Sequence, residues 1–255
     1  MLKKYELTNP IIHEDQKLYQ IKALRSFSDV KEGNLGGYVM SEENLSHEGN
    51  CWIYDSAASL DHAQVRDDAT LAGEATLSHY AILQDKAVLC DNCTARGHAI
   101  IKNNAVVSGN VDICDHAIVS KRAVIIDDVI IRDRAIVTDD AVIEDSAVIS
   151  GNAQIKDHAF ISGCAQVTDN AIVEDKVTIT NGTHIDGYAH LSGSYTFYDS
   201  KGIFVFKTHW LPKNHYFTYT THNHKWRFKD FYGTTNDLLD AITSPKSRQY
   251  MQHYI

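Results

Sequence analysis

The sequence predicts an all-β solenoid, a rod of stacked triangular parallel coils, and three columns of residues recurring every six positions predict it. From Cys51 the chain divides without insertion into CWIYDS, AASLDH, AQVRDD and onward to AHLSGS, closing a twenty-fourth hexad at Ser194. The first position is Ala in 18 of the 24 hexads, the third is Ile, Val or Leu in 22, and the fifth is Asp, Gly or Asn in 22. Alternation along a strand sends positions one and three to the same side, so each hexad offers one small and one large residue to a shared interior. The fifth position must let the backbone bend, and Gly, Asn and Asp tolerate that best. Three strands and three bends make one coil of 18 residues, so 24 hexads make eight coils, a rod of roughly 38 Å at the usual strand spacing. A helix would need apolar positions every three to four residues, which this pattern does not supply.

The flanks divide the chain into three units: an N-terminal cap over residues 1–50, the solenoid over 51–194, and a C-terminal α+β cap over 195–255. A stack of parallel coils leaves unpaired strand edges at both ends, so caps are required. In the first flank, residues 17–25 (KLYQIKALR) read as a strand and Gly33, Gly36 and Gly37 as a turn-rich connection. Leu45 and His47 then fall into repeat register one hexad before Cys51.

Composition breaks near Tyr195, where the last 61 residues hold 15 of the 24 aromatics and carry net charge +4 against −13 for the rest. There, residues 202–208 and 216–221 read as strands of an antiparallel unit, with Pro212 and Asn214 between them. Residues 235–242 and 246–254 read as two short helices, the first capped by Thr234 or Thr235.

Neither the start of the chain nor any later stretch has the apolar run of a signal peptide or membrane span, and a cytoplasmic protein is expected. Five cysteines, an odd number without dense spacing, argue for reduced thiols. Cys90 and Cys93 have the spacing of half a zinc site, but no second pair follows, so no metal is expected.

The six-residue pattern resembles the hexapeptide-repeat family, and the resemblance implies that the parallel β-helix is left-handed, against the usual crossover rule. A closer likeness lies in the segment that leads into the repeat, SDVKEGNLGGYV at residues 28–39, followed by ENLS at 43–46 and GNCWIYD at 49–55. These stretches resemble YdcK-like hexapeptide proteins of bacteria and phages, whose members are often labelled transferases. That label is a fold analogy rather than a reading of chemistry.

Hexapeptide acyltransferases typically place a His, often on a protruding loop, beside a CoA thioester bound along the coils. This chain inserts no such loop. One column remains as a candidate site: the sixth position of the second hexad of each coil is His62, Tyr80, His98, His116, Arg134, Asn152, Asn170 and Tyr188. Residues 18 apart stack at about 5 Å, bringing His98 and His116 together as candidate catalytic bases. The ordinary alternative is a solvated ladder of turn residues.

Outward second positions form two apolar stripes, one through Ile82, Ile100, Ile118 and Ile136, the other through Val88, Val106, Val124 and Val142. Such stripes mark an interface, or they reflect only the fitness of β-branched residues for ladders. As an interface they predict a homo-oligomer, a trimer for triangular rods.

Three function classes follow from the sequence. The first is a binding or scaffolding protein that needs no cofactor. The second is an acyltransferase using acetyl-CoA or another acyl-CoA. The third is an acidic DNA mimic or inhibitor, since a −13 segment attracts basic proteins. No membrane or nucleic-acid partner is expected.

Overall fold

The hexads fold as their columns require. A computed structural model describes residues 3–13, 15–208, 215–229 and 231–243. Three strands open the chain: β1 (Tyr5–His13), β2 (Gln16–Ala23) and β3 (Leu35–Val39). Twenty-five two-residue strands, β4–β28, then run from Trp52–Ile53 to Thr196–Phe197. They stack into three parallel sheets, one per face, with partners 18 residues apart, as in Ile100↔Ile118 and Val88↔Val106. The result is a parallel β-solenoid of about nine turns.

First and third positions fill the interior. Ala117, Val119, Ala123 and Ile125, like nearly every member of those columns, are 0% exposed. Inter-coil bonds come from positions two, four and six, as in Ile100 N to Ala117 O at 3.0 Å, Lys102 N to Val119 O at 3.0 Å and Asn104 N to Lys121 O at 2.7 Å. The first-position N–H closes each corner instead, Ala87 N donating to Gln84 O at 3.2 Å.

At position five the Asp residues do two jobs. Their backbones are left-handed, φ 60° at Asp85 and 63° at Asp133, a conformation that Asp tolerates better than most residues. Their carboxylates also accept the fifth-position N–H of the following coil: Asn103 N to Asp85 Oδ2 is 2.8 Å, Gly151 N to Asp133 Oδ2 is 2.9 Å and Gly163 N to Asp145 Oδ2 is 2.8 Å. A donor that the main-chain ladder leaves aside is thereby satisfied. The turn reading of this column accounts only for the first job.

The ladder runs past the twenty-four hexads at both ends. Tyr38 and Val39 of β3 pair in parallel with Ala58 and Ser59, Leu45 bridges to Val65, and Thr196–Phe197 pairs with Thr178–Ile179. Gly36 and Gly37 therefore lie in a strand rather than in a turn. They are small because β3 crosses the first coil closely: a Cβ on Gly36 would sit 2.5 Å from Ile53 O, and one on Gly37 would strike Ala57 O. β1 pairs antiparallel with β2, and β2 with β3, extending one face of the solenoid. Beneath this hairpin Tyr5, Phe27 and Trp52 pack edge to face, and the buried Lys4 gives its ammonium to Cys51 O at 2.9 Å.

Beyond the rod lies a four-stranded antiparallel sheet, β29 (Ile203–Thr208), β30 (His215–Thr220), β31 (Lys225–Phe228) and β32 (Phe231–Gly233), followed by helix α1 (Thr235–Thr243). Thr234 caps α1, accepting from Asp237 N at 3.2 Å while Asp237 Oδ2 accepts from Thr234 N at 2.7 Å. The second helix expected over 246–254, with Pro212 and Asn214, lies outside the described residues. Thr218 and Thr220 are buried on the side facing the rod, and Thr218 Oγ1 accepts from His190 N at 2.9 Å.

Candidate functional site

The corner column assembles as its spacing requires. His62, Tyr80, His98 and His116 stack ring on ring, with centroids 5.1, 5.0 and 4.9 Å apart and interplanar angles of 18°, 6° and 19°. Each ring stands on the corner where one face meets the next, and all four are exposed. Lower in the column Asn152 bonds Asn170 at 3.1 Å, and Tyr188 stacks on Tyr216 of β30 at 3.9 Å.

What the column can do chemically follows from that geometry. Both faces of Tyr80 and His98 are covered by neighbouring rings, while His62 and His116 each have one face so covered. Among the described residues neither His98 nor His116 has a side-chain hydrogen-bond partner to fix its tautomer, unlike the base of a catalytic dyad. Open grooves of about 500 and 460 Å³ exist, lined by Asp67, Asp68, Asp85 and Lys86 in one case and by Ile11, Tyr38, Leu60 and Thr76 in the other. Neither includes His98 or His116.

The two apolar stripes stand on adjacent faces in the expected register. Ile82, Ile100, Ile118 and Ile136 pair in one continuous sheet, Val88, Val106, Val124 and Val142 in the next. All are half-buried except Val106, which is 36% exposed.

Among the described residues no three His, Cys, Asp or Glu side chains come together as metal ligands would. Burial pushes the Cys93 thiol up to about 11 and raises that of Cys90.

One cluster was not legible in the sequence. Glu174, buried at the last coils, receives Lys156 Nζ at 2.6 Å, His190 Nε2 at 2.8 Å and Arg227 Nη2 of β31 at 2.5 Å. Burial pushes its carboxyl up, but the hydrogen bond from Lys156 and the charges of its partners outweigh this, and the net shift is downward. His190 is held below its ordinary 6.5, first by burial, with Arg227 and Lys156 acting the same way against the pull of Glu174. Beside it lies a cavity of about 10 Å³ lined by His190, Ser192, Thr218, Asn223, Arg227 and Tyr232. Among the described residues the buried Ser192 hydroxyl has no hydrogen-bond partner. That space suits a single water, so the cluster joins the rod to its terminal sheet rather than admitting a substrate. Residues 174, 190 and 227 share no local spacing, and only the docking of β31 on the rod reveals them.

No family model matches the chain. A protein of Escherichia coli (strain K12), named Uncharacterized acetyltransferase YdcK, is 51% identical over 41 residues, which make up 16% of this chain and 13% of that one. The chain thus aligns with a small part of that relative's length. Taken with the solenoid, the match fits a hexapeptide-repeat protein. Among the described residues no helix is long and apolar enough to cross a membrane.

Proposed function

We propose that the chain is a non-catalytic binding or scaffolding rod that presents its outer faces to protein partners, a second and third copy of itself first. The observation that carries this reading is the candidate base pair itself. His98 and His116 sit on a convex, solvated corner, stacked on each other, and among the described residues neither has a side-chain hydrogen-bond partner to orient it. General-base catalysis needs a base held within reach of a bound acceptor, and substrate sites are concave.

The alternative is an acyl-CoA-dependent acyltransferase, favoured by the acetyltransferase name of the YdcK relative and by the two adjacent imidazoles. Titrating acetyl-CoA into the protein by calorimetry separates the two readings. No heat of binding is expected at millimolar ligand, and saturable binding weakened by His98→Ala would overturn the scaffold reading. A DNA-mimic role has less support, because many fifth-column carboxylates are already engaged with the next coil's backbone.

For the rod faces, self-association through the Ile and Val stripes predicts that Ile100→Lys with Ile118→Lys yields a folded, soluble monomer. A specific interface buries upwards of about 1,000 Å², and two charges at its centre would be left desolvated. Sedimentation velocity checks this, and an unchanged species would assign the stripes to strand propensity alone.

A further inference from the structure

The terminal sheet has two unlike faces. Strand pairing sets Phe204 opposite Tyr219 and Phe206 opposite Phe217, while Tyr219 lies opposite Trp226. These five aromatics share the face turned away from the rod, with Phe206 to Trp226 at 5.7 Å and Tyr219 to Trp226 at 4.7 Å. The sheet stops at β29, which among the described residues is paired on one side only.

Lys207 is the one charge on that edge strand, which among the described residues is otherwise unguarded. Phe204, Val205 and Phe206 are 49%, 38% and 48% exposed, and β29 carries neither proline nor bulge. The contrast is β1, the edge strand at the other end of the chain, where Asn9 at φ 42° and Pro10 interrupt the register. Proline and bulges are how edge strands avoid unwanted pairing.

Hydrogen-bond phase shows which groups of β29 are open. Thr221 N donates to Gly202 O at 2.8 Å, so positions 202, 204, 206 and 208 exchange bonds with β30. In an antiparallel ladder the alternate residues, 203, 205 and 207, turn their N–H and C=O to the free edge. A two-fold axis through Val205 would pair 203 with 207, 205 with 205 and 207 with 203, satisfying all six groups. It would also set Phe204 of one copy against Phe206 of the other, an aromatic cross-strand pair. Registers centred on 204 or 206 leave outward groups of this strand unpaired against it.

We propose that β29 is a self-association edge at which two copies join antiparallel about Val205 into one eight-stranded sheet with a continuous aromatic face. The contact is isologous and independent of the Ile and Val stripes. It places both rods on the same side of the joined sheet.

The test is sedimentation velocity of the full chain across a concentration series, for the wild type, Val205→Pro, Val205→Lys and the Ile100→Lys/Ile118→Lys pair. Proline at 205 removes only an N–H aimed at the open edge, so the ladder to β30 should persist, and Val205→Lys keeps the proposal testable if proline disturbs the strand. The expected result is an association step that both Val205 variants weaken at least tenfold and that the rod-face pair leaves in place. In a Cys164→Ser background, Val205→Cys should cross-link two copies on mild oxidation, since directly paired Cα atoms lie about 5.5 Å apart. A wild type without concentration dependence, association indifferent to both Val205 variants, or association abolished by the rod-face pair alone would each overturn it. The last of these would leave the rod-face reading standing.

Discussion

Replacing Ile143 or Ile155 by alanine lowers stability by about 2–5 kcal/mol, the range for deleting three buried carbons in a core that cannot collapse around the gap. Both side chains are 0% exposed. Ile143 is held between Ile125 and Ile161, its partners one coil to either side. Those neighbours are pinned by their own ladders, so the cavity stays open. Gln154, exposed and one residue before Ile155, is the control, and Gln154→Ala should move stability by no more than about 0.5 kcal/mol. Thr138 looks equally outward in the sequence but receives the hydroxyl of the buried Ser120 at 3.0 Å, so its loss would orphan a donor. Urea melts decide the matter: comparable midpoint shifts for Ile143→Ala and Gln154→Ala would refute the inward assignment of the third column.

Glu174→Gln should detach the terminal sheet from the rod. Removing one partner of a buried ion cluster costs about 3–5 kcal/mol because the remaining charges stay desolvated. The lower end applies here, since the side chains of Lys156 and Arg227 keep 34% and 20% exposure. Acid should have the same effect. His190 and Glu174 are both held below their ordinary 6.5 and 4.5, so each binds its proton more readily in the unfolded state. The stability they contribute is lost on acidification, as pH falls from about 6.5 through the folded value of His190 and from about 4.5 through that of Glu174. Hydrogen exchange, corrected for its intrinsic pH dependence, should show protection of 215–229 falling over that window while 99–137 stays protected. Uniform loss across both segments would mean that the cluster does not hold the joint.

How much of this was readable beforehand depends on the range of each interaction. The core columns and the ring stack were legible because residues 18 apart are neighbours, and a six-residue count finds them. The final rung, Thr196–Phe197, kept the register, but Tyr195 stands where Ala usually does, so composition hid it. β1 is not legible in the sequence because Pro10 and Asn9 break its pattern, although the bulge accommodates both. The aspartate column signals a bend in the sequence, whereas its inter-coil hydrogen bonds depend on which backbone donors the ladder leaves over. Glu174, His190 and Arg227 meet through tertiary docking alone, and no spacing rule connects them. For the candidate site, spacing predicts the adjacency of His98 and His116 but not that both rings stand exposed on a corner.

Because the pattern of inter-coil bonds repeats every 18 residues, the solenoid has translational symmetry along its axis. Excising any 18 consecutive residues between 87 and 152 would rejoin equivalent positions and shorten the rod by one strand spacing, about 4.8 Å. Contacts at the hairpin end and at the aromatic sheet would be untouched, since in such arrays each repeat meets only its neighbours. The distance between the two ends is therefore quantised. The rod is a ruler graduated in coils, and its reading can change by whole graduations while the parts it separates keep their structure.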